Sequence, residues 1–173
     1  MSKTAAVLLA FLSLMLFPTT SKAQLLPSGN VYAGVGYADN VDVVNRLTFR
    51  GWEGSVEVLP FHRFSYLGLV LDGSGFYRTG VHQYNLVLGP RVSKNYGKWR
   101  LFADAMGGYQ ISKSGGENFH TVIEDFGGGV DRKFQLLFMK NFSWRLQFDY
   151  VHSHQLSATQ NDVRGTGGLV WHF

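Results

Sequence analysis

The stretch DVRGTGGLVWHF, Asp162–Phe173, alternates apolar and polar residues. Successive side chains of an extended strand point in opposite directions, so Leu169, Trp171 and Phe173 share one face. Arg164 lies on the other face. The stretch therefore predicts a strand with one apolar and one charged face, and the fold depends on what covers the apolar face.

The same period-two alternation recurs along the chain and predicts an all-β fold of eight strands. The predicted strands span about residues 30–38, 49–59, 66–77, 82–93, 98–111, 119–132, 142–154 and 162–173. Each strand has one apolar face. The chain has 21 glycines and no cysteine, which fits β structure without a disulfide framework.

The opposite faces of these strands carry charges in mid-strand positions. They hold Glu53, Glu57, Asp72, Arg91, Arg100, Asp104, Asp125, Asp131, Arg145, Asp149 and Arg164. A soluble sandwich would turn such charges to water, and the alternation alone does not exclude that arrangement. Strands of about ten residues, however, are long enough to cross a bilayer when tilted. Aromatic residues also gather at strand ends, where the girdles of a membrane barrel lie. We therefore interpret the charges as the interior network of a transmembrane barrel.

The N-terminus has the pattern of a secretory signal peptide. Lys3 precedes an apolar run over residues 5–17, and Ser21 and Ala23 supply small residues before a cleavage site at Gln24. The sequence thus predicts a signal peptide over residues 1–23 and one barrel domain over residues 24–173.

The predicted mature chain has 150 residues (173 − 23) and a formal charge of +2, since two of the lysines behind the +4 leave with the signal peptide. This small charge, without a basic stripe, excludes a nucleic-acid partner. No later segment approaches 18 consecutive apolar residues, so no transmembrane helix is predicted.

The predicted connections alternate between the two ends of the barrel. Segments 60–65, 94–97 and 133–141 are expected on the periplasmic side, and 39–48, 78–81, 112–118 and 155–161 on the outside. In KNYGK, Asn95 and Gly97 suit the positive φ of a tight turn.

Three stretches carry a resemblance to a known family. NDVRGTGGLVWHF with its terminal Phe173 resembles the closing strand of bacterial outer-membrane proteins, and YNLVLGPRVS (Tyr84–Ser93) and FGGGVD (Phe126–Asp131) resemble middle strands of outer-membrane barrel domains. Over about residues 30–173 the chain is similar to small eight-stranded barrels such as the transmembrane domain of outer membrane protein A and outer membrane protein X.

The resemblance implies a location in the outer membrane, with outer-membrane lipids as partners. It also implies that Phe173 is a signal for the barrel-assembly machinery. The expected function is non-enzymatic and structural, adhesive or protective, performed by a monomer without a cofactor.

The interior charges leave a second interpretation open. An eight-stranded barrel is just wide enough for side chains to fill, so paired charges would plug the lumen. A narrow channel past these charges is the alternative. No spacing among the carboxylates singles out a pair for acid–base catalysis.

Four histidines fall near the outer ends of the predicted strands: His82, His120, His152 and His154. Two or three imidazoles at a rim could bind Zn or Cu. The sixth and seventh predicted strands are neighbours, which would allow His120 to approach His152 or His154. The sequence does not decide between a metal site and ordinary rim residues.

A lipid-modifying enzyme is a further alternative, because lipid A deacylases are eight-stranded barrels with His and Ser two residues apart on one face. The segment VHSHQLS instead places Ser153 between His152 and His154. Adjacent residues point to opposite faces, so neither histidine can assist Ser153 on its own face.

Overall fold

Eight antiparallel strands form a closed barrel in the computed structural model, each paired with its neighbours in sequence. The structure describes residues 28–40, 47–60, 64–136, 139–155 and 158–173. The strands are β1 (Gly29–Asn40), β2 (Leu47–Val58), β3 (Leu67–Arg78), β4 (Val81–Tyr96), β5 (Trp99–Ser114), β6 (Glu117–Leu136), β7 (Met139–Gln155) and β8 (Ala158–His172). The predicted eight-stranded all-β fold is confirmed, whereas the predicted signal peptide lies outside the described residues. Within these ranges no helix has the length and apolarity of a membrane span.

The last strand closes the barrel against the first. β8 pairs with β1 from Asn30↔His172 to Asn40↔Asp162. Beyond this ladder, Gly29 N donates to Phe173 O over 3.1 Å and Phe173 N donates to Gly29 O over 3.0 Å. We call this end of the barrel the terminal end and the opposite end the distal end.

The register determines how strongly the strands tilt. Following the paired residues around the barrel from Asp131 leads back to β6 at Thr121, a shift of ten residues (131 − 121). Such a stagger accompanies a strand tilt of roughly 35–45° and, with eight strands, a lumen that side chains can fill.

Side chains alternate strictly between the lumen and the outer surface. In β4, Leu86 and Leu88 are 59% and 51% exposed, whereas Val87 is 1% and Arg91 is 0% exposed. β-Branched and aromatic residues favour the strands. The alternation also fixes the register, because a slip by one residue would turn every charge outward.

The lumen also holds apolar side chains. One cluster comprises Val70, Val87, Met106, Ile123 and Val151, and a second comprises Ala38, Phe49 and Phe76 with Val81 packed against it. The sequence-based interpretation of the inward faces as polar is therefore incomplete. The sequence already indicated that apolar side chains enter the lumen, because Val70 lies two residues from Asp72 on β3 and therefore on the same, inward face.

Several hairpins are longer than predicted. The expected loop over 112–118 is wrong: β5 and β6 pair up to Ser114↔Glu117, leaving only Gly115 and Gly116 as a turn with φ of 60° and 89°. Here both faces of the hairpin carry polar residues, so the alternation ends before the hydrogen-bonded ladder does.

The tight turn near residue 97 is only partly as expected. Gly97 has a φ of 60°, which favours glycine. Asn95 instead belongs to β4 and pairs with Arg100. The predicted connections 39–48, 133–141 and 155–161 are also wrong at their ends, because residues 39–40, 47–48, 133–136, 139–141, 155 and 158–161 belong to strands. The middle parts of these connections, and residues 61–63 of the predicted connection 60–65, lie outside the described residues.

Candidate functional site in the barrel interior

The eleven charged residues predicted for the interior all lie buried in the lumen. They are Glu53, Glu57, Asp72, Arg91, Arg100, Asp104, Asp125, Asp131, Arg145, Asp149 and Arg164. Each belongs to an inward-facing row of its strand. Seven of the predicted residues are carboxylic acids and four are arginines, and Asp162 on β8 is a further buried acid that was not predicted. These groups are distributed unevenly along the barrel.

Arg91 on β4 is fully buried and held by two acidic residues. Its Nε donates to Asp104 Oδ2 over 2.7 Å, and its Nη2 lies 2.5 Å from the same oxygen. Its Nη1 lies 3.6 Å from Glu57 Oε2. Arg91 and Asp104 are directly opposite in the β4–β5 register, so neighbouring strands place the pair.

Two further arginines complete this arrangement. Arg145 binds Asp131 in a bidentate manner, with Nε to Oδ1 at 2.7 Å and Nη2 to Oδ2 at 3.0 Å. Arg100 donates from Nη1 to Glu57 Oε2 over 3.0 Å and to Asp131 Oδ2 over 3.3 Å, and its Nη2 also contacts Glu57. Each acid here has an arginine partner. We call this set the terminal-end network: Arg91, Arg100, Arg145, Glu57, Asp104 and Asp131.

Aromatic rings separate the guanidinium groups of the terminal-end network. The Cζ atoms of Arg91 and Arg145 lie 4.2 Å and 4.4 Å from the centre of the Phe102 ring. Arg145 Cζ also lies 4.8 Å from the ring centre of Tyr32. Such cation–π contacts stabilise cations that have lost their hydration. Neither ring was predicted in the lumen, although Phe102 lies two residues from Arg100, and Tyr32 two residues from Asn30, on the same face of its strand.

A second set of charges lies further from the terminal end and is mostly acidic. We call it the acid-rich layer: Glu53, Asp72, Asp125, Asp149 and Arg164. Glu53 interacts electrostatically with Asp72 and Asp125, and Asp149 interacts with Glu53 and Asp125. Arg164 is the single arginine of this layer. Its contact with Asp125 is long, with 3.6 Å between Nη1 and Oδ2.

Hydrogen bonds are also sparse in the acid-rich layer. No group of the described chain donates a hydrogen bond to Glu53 Oε1, Asp72 Oδ2 or Asp125 Oδ1. Asp149 Oδ1 accepts from Gln147 Nε2 over 2.9 Å. A buried carboxylate needs a counter-charge or donors, so four carboxyl groups with one arginine are poorly compensated.

Neutral polar groups and the buried acid Asp162 occupy the lumen toward the distal end. Gln110 Nε2 donates to Asn85 Oδ1 over 3.0 Å, and Asn85 Nδ2 donates to Ser74 Oγ over 3.1 Å. Phe49 and Phe76 are buried beside them. Buried side chains are therefore present in the lumen from the terminal-end network to the distal end.

A polar cluster at the terminal end was not foreseen from the sequence. Asn30 Nδ2 donates to Glu57 Oε2 over 3.0 Å. The His172 ring contacts Asn30 Oδ1 through Nδ1, and its Nε2 lies 2.7 Å from Ser143 Oγ. These bonds connect the β1–β8 seam to the terminal-end network. Phe173 follows directly, with its ring 5.7 Å from that of Trp171.

The four histidines predicted at the rim, His82, His120, His152 and His154, lie on the outer surface near the distal end. The rings of His152 and His154 pack edge to face with centroids 4.5 Å apart, and His152 Nδ1 lies 2.6 Å from Asn161 Oδ1. His82 instead packs against Tyr77 at 5.5 Å. Among the described residues, no three histidine, cysteine or acidic side chains are arranged to hold a metal ion.

Ser153 faces the lumen, on the other side of the wall from the histidine rings. It is 2% exposed, and its Oγ donates to Gln160 O over 3.1 Å. A serine nucleophile needs a base within hydrogen-bond reach. The strand geometry therefore separates Ser153 from His152 and His154.

Comparison with solved structures identifies the fold. Neisserial surface protein A matches with a TM-score of 0.68 and 10% identity, covering 84% of this chain and 97% of that chain. The N-terminal β-barrel domain of Pseudomonas aeruginosa OprF matches with a TM-score of 0.59 and 15% identity, covering 86% and 98%. The chain has the fold of the small eight-stranded outer-membrane β-barrels.

A third barrel agrees with this assignment. Ail, the attachment invasion locus protein of Yersinia pestis, matches with a TM-score of 0.51 and 15% identity, covering 84% of this chain and 99% of that chain. No protein-family model and no curated protein matches the chain. The likeness is therefore one of architecture.

Proposed function

We propose that this protein is an exported outer-membrane barrel that acts as a monomer, without catalysis or a cofactor, and serves a structural, adhesive or protective function at the cell surface. One observation supports this proposal most strongly, which is the inverted polarity of the barrel. Arg91 and Arg145 are 0% and 1% exposed, whereas Val35 and Phe148 on the outer surface are 70% and 66% exposed. A wall of this kind is suited to lipid.

The outer surface is uncharged across the middle of the barrel. Its band consists of Val31, Ala33, Val35, Gly54, Val56, Leu69, Leu71, Leu86, Leu88, Pro90, Ala103, Ala105, Phe126, Gly128, Val130, Leu146, Phe148, Gly167 and Leu169. A lipid-facing arginine or lysine costs about 2–4 kcal/mol at the midplane of a bilayer. The position of the charges inside the lumen avoids this cost.

Aromatic residues border the uncharged band at both ends. At the terminal end, Trp99 and Trp144 pack edge to face at 5.8 Å, and Arg132 lies 4.9 Å above the Trp99 ring. At the distal end, Tyr77 and Tyr84 pack edge to face at 5.7 Å. Aromatic and basic residues anchor membrane proteins at the two interfaces, so the two girdles support a membrane position for this band.

A surface function fits a barrel whose lumen is filled. The distal hairpins then offer the accessible groups, such as Lys113, Glu117 and Asn118 on the β5–β6 hairpin. Two of the similar structures are named as a surface protein and an attachment invasion locus protein. By analogy of fold, we propose that the distal end faces outward and the terminal end faces the periplasm.

Location is tested by fractionation and gel mobility. We expect that the protein requires detergent for extraction, migrates differently boiled and unboiled, and begins at Gln24 after processing. Recovery as a freely soluble periplasmic protein without a mobility shift would refute the membrane position.

Orientation is tested with single cysteines, because the chain contains none. Asn118→Cys at the distal end should react with a membrane-impermeant maleimide on intact cells. Lys98→Cys, in the turn at the terminal end, is the matched control and should react only after lysis. The opposite pattern would show that the barrel is inserted the other way round.

The assembly machinery is the proposed partner during biogenesis, with Phe173 as its signal. Phe173 and Phe119 are 42% and 46% exposed, so they form a matched pair. Phe173→Ala should lower the assembled, heat-modifiable fraction, whereas Phe119→Ala should leave it unchanged. Equal assembly of the two variants would argue against the signal.

A further inference from the structure

Two outward-facing glycines of β8 form the floor of a groove on the outer wall. Gly165 lies between Phe148 of β7 and Tyr37 of β1, and Gly167 lies between Leu146 and Val35 in the same way. The groove encloses about 600 Å³ and extends to Arg50 of β2. Its walls are apolar on both sides along this length.

The backbone does not require glycine at these two positions. Gly165 and Gly167 lack the positive φ found at the turn residue Gly80. A Cβ at either position would come within 3.3 Å of a side chain only, Phe148 or Leu146 respectively. What glycine provides at both positions is an open floor.

An inward-facing glycine shows the contrast. A Cβ on Gly168 would run into backbone atoms of Ala33 and Gly34 on β1, so strand packing there requires glycine. The side chains around Gly165 and Gly167, by comparison, are highly exposed, with Val35 at 70% and Phe148 at 66%. The groove is therefore a surface that an additional apolar chain could cover.

A cationic group marks the distal end of the groove. Arg50 Cζ lies 5.9 Å from the ring centre of Tyr37, which belongs to the distal girdle. Arg50 also lines a second recess of about 350 Å³, together with Thr48, Tyr77, Arg78 and Thr79. The apolar groove and this polar recess thus meet at Arg50, and we call the two together the composite groove.

Two cations line the recess. They are Arg50 and Arg78, and the described lining residues include no acid, although Asp39 Oδ1 accepts a hydrogen bond from the lining residue Thr48 through Oγ1 over 2.7 Å. Arginine forks match phosphate oxygens in geometry and charge. This end of the composite groove is therefore complementary to a phosphate ester.

We propose that the composite groove binds one phosphorylated lipid, with an acyl chain along Gly165 and Gly167 and the phosphate on Arg50 and Arg78. The inference rests on the membrane position proposed above, because only there would the groove meet acyl chains. Arg50 lies at the level of the distal aromatic girdle, where lipid headgroups lie. A ligand with an apolar tail and an anionic head matches both halves of the groove.

The experiment measures binding to the purified full-length barrel in mild detergent by native mass spectrometry. The probes are dimyristoyl phosphatidic acid, dimyristoylglycerol with the same chains, and inorganic phosphate. We expect one bound phosphatidic acid, about tenfold weaker binding of dimyristoylglycerol because the charge-assisted contacts are lost, and no retention of inorganic phosphate.

Two variants and two matched controls test the residues. Arg50→Ser and Gly167→Leu should each weaken binding of phosphatidic acid about tenfold. Lys113→Ser removes a distal cation elsewhere on the wall, and Gly107→Leu fills an outward-facing glycine position on β5 whose surroundings are open. Both controls should bind as the wild type does.

Three results would overturn the inference. They are equal binding by all four variants, equal binding of the two lipids, or a dimer that forms without lipid and is lost in Gly167→Leu. Heat modifiability of the same samples reports whether each variant is a folded barrel. If Gly167→Leu does not fold, Arg50→Ser at the rim still tests the site. A barrel that behaves as a membrane protein but ignores the probes would refute only the lipid site, whereas a soluble protein would refute the membrane position.

Discussion

The two charged regions of the lumen solve the problem of buried charge differently. In the terminal-end network, three arginines face three acids and each acid has an arginine partner. In the acid-rich layer, four carboxyl groups share Arg164, whose nearest carboxylate oxygen is 3.6 Å away. Burial is equally deep in both, so the difference lies in pairing. We infer that the first region stabilises the barrel and that the second is tolerated by it.

The largest expected effect follows from removing a cation of the terminal-end network. Arg91→Leu leaves Asp104 without its partner and should lower the free energy of unfolding by about 3–5 kcal/mol. The measurement is urea unfolding followed by gel mobility. Leu86→Val on the outer surface is the control, with a change within about 0.5 kcal/mol. A stability of Arg91→Leu equal to the wild type would mean that Arg91 is not in a paired, buried site.

A double variant separates pairing from packing. Arg91→Leu combined with Asp104→Leu removes the stranded charge, and replacing a whole buried pair is often close to neutral. We expect the double variant to recover about half or more of the lost free energy in the same urea titration. If the two losses simply added, the charges would be acting independently.

Neutralising one acid in each region compares them directly. Asp104→Asn removes the carboxylate that binds Arg91 and should cost about 2 kcal/mol. Asp72→Asn relieves repulsion in the acid-rich layer and should change stability by less than about 1 kcal/mol, or raise it. If chemical unfolding showed equal losses of unfolding free energy for the two variants, the two regions would not differ in their contribution to stability.

The smallest expected signal is electrical. Purified monomer in planar bilayers should show no large steady conductance, because side chains fill the lumen through both regions. Asp72→Asn should leave the recordings unchanged. A stable wide-pore current from the monomer would mean that water solvates both regions, and it would favour the channel alternative.

The architecture could be predicted because alternation is local, whereas the pairing inside the lumen could not. Because side chains alternate along a strand, the position of Arg91 or Arg145 within its own strand is enough to place it on the charged face. The contact of Arg100 with Glu57 is different, because Glu57 lies 43 positions away on β2. That contact depends on the ten-residue stagger around the barrel, which no single strand encodes.

Two other features escaped prediction for related reasons. Phe102 and Tyr32 are aromatic, and aromatic residues were assigned to the girdles, but the guanidinium groups inside the lumen provide a second environment for such rings. The β5–β6 hairpin continues to Ser114 and Glu117 although both faces there are polar. Hydrogen bonding of the backbone sustains a strand beyond the point where its hydrophobic pattern stops.

The seam between β1 and β8 has a consequence for the timing of folding. It joins groups as distant as Asn30 and His172, 142 positions apart. Contacts of such long range slow folding, and the barrel gains its final hydrogen bonds only after β8 has arrived. Until then β1 is an open edge that other chains could pair with. A chain in which β8 has not yet closed the barrel on β1 is therefore expected to be prone to aggregation, and closure of this seam is expected to be a late step of folding.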